Sequence, residues 1–144
     1  MDPDFSDGMY LSFLATVDEE GKPRVRPVMG ILVERKVYFT TKTGANKAKE
    51  MALNPPVELL IPHPGAGVFG YVRFSGEAFR IFDGKFSQEI LERFSYSPDR
   101  YIQRGEGEDI CMFELIPIRI DQYLPDEKRE RDITNHFLPR RNGG

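Results

Sequence analysis

From Leu11 to Val17 the apolar residues Leu11, Phe13, Ala15 and Val17 alternate with Ser12, Leu14 and Thr16, the two-residue period of a β-strand. "DEEGK" then reads as a turn, with Gly21 where a positive φ is expected, and "PRVRPVMGILVE" returns as a second strand. Residues 10 to 34 are therefore predicted to form an antiparallel hairpin. Arg24, Arg26 and Val28 share one face of it, opposite Val25, Pro27 and Met29. Pro27 and Gly30 are expected to interrupt the ladder. They mark an edge or a bulge that opens backbone groups to a ligand or another chain, or else a twisted edge with no ligand. Glu34-Arg35 turns the chain into a third strand, Lys36 to Thr41. The period then changes: Ala48, Met51 and Ala52 recur at helical spacing, in a short helix opened by Thr43-Gly44 and stopped by Asn54-Pro55-Pro56. Val57 to Ile61 is a fourth strand and Tyr71 to Phe82 a fifth, with Gly76 as a bulge. Phe86, Ile90, Leu91 and Phe94 follow helical spacing again. Ile110 to Tyr123 is the last strand, where Pro117 marks an edge or bend.

Six strands of mainly antiparallel character, with short helices inserted rather than alternated, indicate a mainly β or α+β fold: an antiparallel barrel or curled sheet. A chain of 144 residues is one domain by size. Its core is expected over about residues 10–123. The run 124–144, "PDEKRERD" then "ITNHFLPRRNGG", mixes charges of both signs and is expected to be a solvated arm. Eleven Phe and no Trp lean towards a β-rich core. A net charge of −3 argues against a general nucleic-acid binder, which needs a basic face. A single cysteine, Cys111, precludes an internal disulfide and reads as a buried hydrophobe in "DICMFEL". No apolar run reaches the ~18 residues of a membrane helix, and "MDPDFSDGMY" lacks the basic start of a signal peptide, so the cytoplasm is the expected location.

Candidate chemistry concentrates in "VYFTTKTGANKAKEMALNPPVELLI", residues 37–61. Thr40 and Thr41 stand at a strand end, and Lys47 falls in the first turn of the helix that follows. A lysine there opposes the helix dipole unless an anion offsets it. Hydroxyls, free N–H groups and an ammonium are together the parts of a phosphate site; the alternative is an ordinary solvated lysine. "GAGVFG" places Gly65, Gly67 and Gly70 in the spacing of a dinucleotide loop. That motif must open a helix, whereas "YVRFSGEAFRIF" after it is β-patterned. His63 lies between prolines, with only His136 as a distant companion, so no metal set is expected.

The ordered set Ala15-Thr16-Val17, Gly21, Pro23, Arg26, Phe39-Thr40, Lys47-Ala48 and Asn54-Pro55 resembles the pyridoxamine 5′-phosphate oxidase-like family, the FMN-binding split barrels, over roughly residues 10–121. The resemblance implies a six-stranded split barrel with FMN held between the protomers of a homodimer. It assigns Arg26 to the phosphate or ribityl chain, the backbone of Val28 to the flavin ring, Phe39 and Thr40 to the ring and ribityl chain, and Lys47 to the phosphate. Thr41 would add a hydroxyl. Asn46 stands where the oxidase has a basic residue, and Tyr71 matches a position that reaches flavin from the partner chain. The Arg-x-His element and the Trp-containing C-terminal segment of the authentic oxidase are absent, and an apolar residue near Ile31 replaces a lysine. Oxidation of pyridoxamine phosphate is therefore not expected. A flavin-dependent oxidoreductase acting on another small molecule is, with no catalytic residue named because flavin carries its own redox chemistry. The alternatives are a flavin-binding or storage protein without efficient turnover, and a barrel that binds deazaflavin or haem.

Overall fold

The computed structural model describes residues 6–42, 56–62, 69–94 and 110–138. The strands are β1 (Gly8–Val17), β2 (Pro23–Val33), β3 (Lys36–Lys42), β4 (Pro56–Pro62), β5 (Tyr71–Ile81), β6 (Ile110–Leu124) and β7 (Arg129–Asp132). Two helices are described, α1 (Gly84–Arg93) and a single turn, α2 (Thr134–Phe137). The strands form one sheet in the order β3-β2-β1-β4-β5-β6-β7, and a further pairing of β3 with β6 closes β1 to β6 into a six-stranded antiparallel barrel. The expected first helix, from Thr43, lies outside the described residues.

Turn chemistry sets the registers. Gly21 takes φ +80°, and Asp18 Oδ1 accepts from the N–H groups of Glu20 and Lys22, both at 2.9 Å, so the first hairpin closes as its sequence requires. Glu34 and Arg35 both adopt positive φ, 50° and 62°, as a tight turn between antiparallel strands demands. Asp7 secures that turn by accepting from the Glu34 N–H at 2.8 Å and pairing with Arg93 at 2.7 Å.

The two residues expected to interrupt β2 do different things. Pro27 lies in the stretch that pairs only with β1 among the described residues, as an edge proline should. Gly30 is no interruption: it pairs with Tyr10 on one side and Phe39 on the other. Its glycine is a packing requirement, since a Cβ there would lie 2.3 Å from Ser12 Oγ. Gly76 is the bulge the sequence suggested. The β5–β6 register shifts between Ser75 and Gly76, and a Cβ on Gly76 would sit 2.0 Å from the Ile116 carbonyl oxygen.

Inward-facing Leu14, Phe39, Leu59, Phe74 and Ile120 fill the barrel, with Phe39 stacked on Phe113 at 5.4 Å. A second cluster lies outside the wall, where Ile90 and Leu91 of α1 cover Ile31, Tyr38 and Met112. Asp83 caps α1 by accepting from the N–H groups of Lys85 and Phe86, both at 3.1 Å.

Residues 125–138 are not a solvated arm. Arg129–Asp132 pairs with Asp121–Leu124, and α2 then turns Ile133 and Phe137 into the main core, where Phe137 packs edge-on against Phe74 at 5.1 Å. Two of the charges that suggested an arm are engaged by neighbours: Glu130 takes the Tyr71 hydroxyl and Arg73, and Arg131 donates to Gln122. Arg35 donates to the carbonyls of His136 and Phe137, holding the turn in place. Because Phe137 is 0% exposed, Phe137→Ala is expected to cost about 3–5 kcal/mol. Urea unfolding would read this as a lower midpoint, whereas a solvated arm would leave the midpoint unchanged.

Candidate functional site

The barrel splits where β2 and β3 part. They pair only from Met29–Thr40 to Val33–Lys36. Past Thr40, β3 stays with β6 as far as Lys42–Ile110, while β2 from Pro23 to Val28 keeps β1 alone among the described residues. The free side of β2 offers backbone groups that no described strand uses, and such groups need a partner.

Three of the sequence-assigned residues meet at this fork. Arg26 and Val28 lie opposite Leu14 and Ser12, on the face of β2 that looks into the barrel. Val28 is buried and Arg26 half-buried. Thr41 continues the inward phase of Val37 and Phe39, and its carbonyl accepts from the Cys111 thiol at 3.4 Å. The Thr41 hydroxyl is buried and has no hydrogen-bond partner among the described residues. A hydroxyl left so costs roughly 1–3 kcal/mol, and a ligand oxygen at the fork would remove that cost. A guanidinium, an unsatisfied hydroxyl and an open strand edge suit a ligand that carries a phosphate and a polyol chain.

Not every assigned residue joins them. Thr40 is buried on the opposite phase of β3, paired with Met29. The side chain of Phe39 is wholly inside the core, against Phe113, so only its backbone is left to line a ligand; the apolar phase that puts it beside Val37 and Leu115 is the reason. Tyr71 stands on the outer wall at the start of β5, three strands along the sheet from β2, and no contact among the described residues brings it to the fork. Asn46 and Lys47 lie outside the described residues, as do His63, Gly65 and Gly67. Gly70 leads into β5 rather than into a helix.

A polar network on that outer wall was missed in the sequence. Asp121, almost fully buried, accepts from Arg119 Nε at 2.9 Å and from Arg73 at 3.4 Å. Glu130 accepts from Arg73 at 2.5 Å and from the Tyr71 hydroxyl, and Tyr71 stacks on Tyr123 at 5.4 Å. Gln122, on the inner face, accepts from Arg131 Nε at 3.0 Å and Nη2 at 2.9 Å. The available signal was "RIDQYL", where the adjacent polar residues Asp121 and Gln122 break the two-residue period. Among the described residues no group of three or more His, Cys, Asp or Glu could hold a metal, and no helix is long and apolar enough to cross a membrane.

A profile of the pyridoxamine 5′-phosphate oxidase family matches residues 4–123. The chain belongs to this family. A search of curated protein sequences gives no significant match. Solved structures do resemble it. One is a pyridoxamine 5′-phosphate oxidase-related, FMN-binding protein from Nostoc punctiforme, with 17% identity, 85% of this chain and 79% of that one covered, and a TM-score of 0.59. An F420 reductase matches at 20% identity over 77% of this chain and 88% of that one, with a TM-score of 0.59. A haem-binding protein from Mycobacterium smegmatis gives 19% identity and a TM-score of 0.68, covering 88% of this chain but 53% of that one. At these identities the likeness is one of fold. The family match ends at residue 123, so β7 and α2 lie beyond it.

Glu130 therefore belongs to a segment outside the family match, yet it controls a residue within it. Its hydrogen bond, followed by burial, pushes the Tyr71 phenol above the ordinary tyrosine value. Glu130→Gln is expected to bring that titration back down, as read by phenolate absorbance with Tyr71→Phe identifying the band. The raised value also fixes a sign. The folded state holds its proton to higher pH than the unfolded chain, so the Tyr71 contribution is complete below about pH 10 and is lost as pH rises through the folded value.

Proposed function

We propose that this chain binds FMN at the fork between β2 and β3 and works as a flavin-dependent oxidoreductase on a small molecule. The observation that carries the reading is the buried hydroxyl of Thr41, without a partner among the described residues, beside the edge of β2 that no described strand covers and that bears Arg26. The FMN-binding neighbour and the family match support it. Arg26 would hold the phosphate or ribityl chain, Thr41 would give its hydroxyl to the ribityl chain or phosphate, and the backbone of Val28 would face the ring. Lys47 and Asn46 are assigned to the phosphate by the resemblance alone. Bound flavin supplies the electron and hydride chemistry. The protein's part is to bind and orient the ring and keep water from it. Pyridoxamine phosphate is not the proposed substrate, because the chain has no Trp and no Arg-x-His element.

The fork is also where a second copy would complete the site. Leu11, Phe13 and Val25 are exposed on the outer face of the β1–β2 hairpin, and an apolar face of this kind suits a two-fold interface. The proposed assembly is a cytoplasmic homodimer with two equivalent sites. A monomeric mass at micromolar concentration with cofactor still bound would overturn it.

The F420 reductase and haem-binding neighbours make cofactor identity the first measurement. A flavin spectrum in freshly purified protein supports the proposal; a Soret band or a deazaflavin spectrum refutes it. Steady reoxidation after reduction by NADH or NADPH then separates an enzyme from a storage protein. Removing one charge-assisted contact to the phosphate, by Arg26→Ala or Lys47→Ala, is expected to cost FMN roughly 1.5–3 kcal/mol, about tenfold to more than a hundredfold in affinity. Riboflavin, lacking the phosphate, should bind both variants nearly as well as wild type. Equal losses for the two ligands would point to damaged folding instead.

A further inference from the structure

The fork end of the barrel has a second uncovered edge, on β5. The pairing of β4 with β5 begins at Pro56–Glu77, so from Ala78 to Ile81 β5 keeps β6 alone among the described residues. Neighbours fix the phase of that stretch. Ala78 is buried in the main core and Ile81 packs into the outer cluster under α1, so Arg80, opposite Phe113, falls on the face that looks into the barrel. Arg80 is exposed there, with its guanidinium 5.0 Å from the centre of the Phe82 ring, which is itself 82% exposed.

Barrel closure carries this edge round to the fork, because β5, β6, β3 and β2 are consecutive along the closed wall. Arg80 stands opposite Phe113, Phe113 opposite Phe39 and Phe39 opposite Gly30, so the four share one level. One step further towards the open end, on the same face, are Cys111 and Thr41. The Thr41 side chain, 4% exposed with its hydroxyl unpartnered among the described residues, therefore lies between the strand that bears Arg26 and the strand that bears Arg80. The charge at the β5 edge is of one sign. Arg80 makes no hydrogen bond or ion pair among the described residues. Glu114, opposite Phe79, and Glu77, opposite Ile116, are on the outer phase, and Asp83 is engaged by the N–H groups of Lys85 and Phe86.

We propose that Arg80 and Phe82 form the substrate end of the site and that the substrate is a small aromatic monocarboxylate. The substrate role rests on the flavin reading; the two side chains are distinct from those assigned to FMN. The carboxylate would meet the guanidinium edge-on, the geometry that gives two parallel hydrogen bonds, and the apolar body would lie against the exposed Phe82 ring. Charge complementarity chooses this occupant. A cation would be repelled by Arg80, a neutral molecule would leave the guanidinium unpaired, and a phosphate carries more charge than one guanidinium balances.

The test is a titration of the FMN-loaded protein with benzoate, benzyl alcohol and benzylammonium, followed by amide NMR shifts and by the absorbance of the bound flavin. Benzoate is expected to give saturable shifts at Ala78, Arg80, Cys111 and Phe113 and to perturb the flavin spectrum, with weaker effects from the alcohol and none from benzylammonium. Arg80→Gln should weaken benzoate about three- to tenfold while leaving the alcohol and FMN unchanged. Arg80→Glu should reverse the preference in favour of benzylammonium, and Phe82→Ser should weaken benzoate and the alcohol together. Both residues are exposed, so the variants are expected to keep the wild-type amide spectrum elsewhere. Benzoate affinity unmoved by Arg80→Gln would overturn the proposal, as would displacement of benzoate by FMN, which would put both in one place. Flavin bound with benzoate silent overturns this proposal alone. Benzoate bound through Arg80 by a protein that takes up no flavin overturns the flavin reading and, with it, the substrate role.

Discussion

A strand inside a closed barrel must have both edges paired, because backbone groups buried without partners cost more than a small domain can spare. In this fold the constraint falls hardest on β6. It runs from Ile110 to Leu124 and is paired along one side by β5. Its other side is divided: β3 takes Ile110 to Leu115, and β7 takes Asp121 to Leu124. In between, the Ile120 N–H donates to the Thr134 hydroxyl at 2.9 Å, and its carbonyl accepts from the Ile133 N–H at 2.8 Å. The start of α2 therefore finishes what the strands leave open. The bulge at Gly76 falls in the same gap, and the exposed Ile116 and Ile118 with it.

The candidate cofactor site lies beside the same closure. β3 pairs with β6 along one edge over Val37–Lys42 but with β2 along the other only as far as Thr40, which leaves one edge of β2 without a described partner strand. Had that pairing run on past Met29, Val28 and Arg26 would be ordinary residues of a central strand. The opening comes where a guanidinium and, among the described residues, an unpartnered hydroxyl face inward.

Much of this was legible in the sequence because the two-residue period is clean where one face of a strand is buried. Tyr71 to Ile81 announces itself in that way, and Gly21, Glu34-Arg35 and Gly76 punctuate the strands through turn and bulge chemistry. Leu11 to Val17 keeps the strand period with its phase inverted: Ser12, Leu14 and Thr16 are buried, while Leu11, Phe13 and Val17 are exposed. The pattern failed where polar side chains are buried by pairing with one another. Asp121 and Gln122 looked like the end of a strand, and Glu130 and Arg131 like solvent-facing charges; each satisfies the other's neighbourhood only once β7 lies beside β6. Ile133 and Phe137 were hidden by the charged residues before them, although their four-residue spacing is that of a helical turn facing a core. At the fork, Arg26, which the resemblance assigns, and Thr41, a hydroxyl at a strand end, stand on inward phases that the strand period places. The burial of Phe39 could not, since it depends on Phe113, far along the chain.

The clamp of Arg35 on α2 has a temporal side. It joins residues 102 positions apart, and Phe137, which it holds, seals a core whose other members begin at Leu14. During synthesis, strands β1 to β5 are made well before the residues that close the barrel, β6 and α2, and contacts of such sequence separation form slowly. A nascent chain at that stage has a curled, unclosed sheet with its apolar interior in water. The protein's final dozen described residues thus set the moment at which folding can finish, and the time before it is when a chaperone or another unfinished copy would find the open sheet.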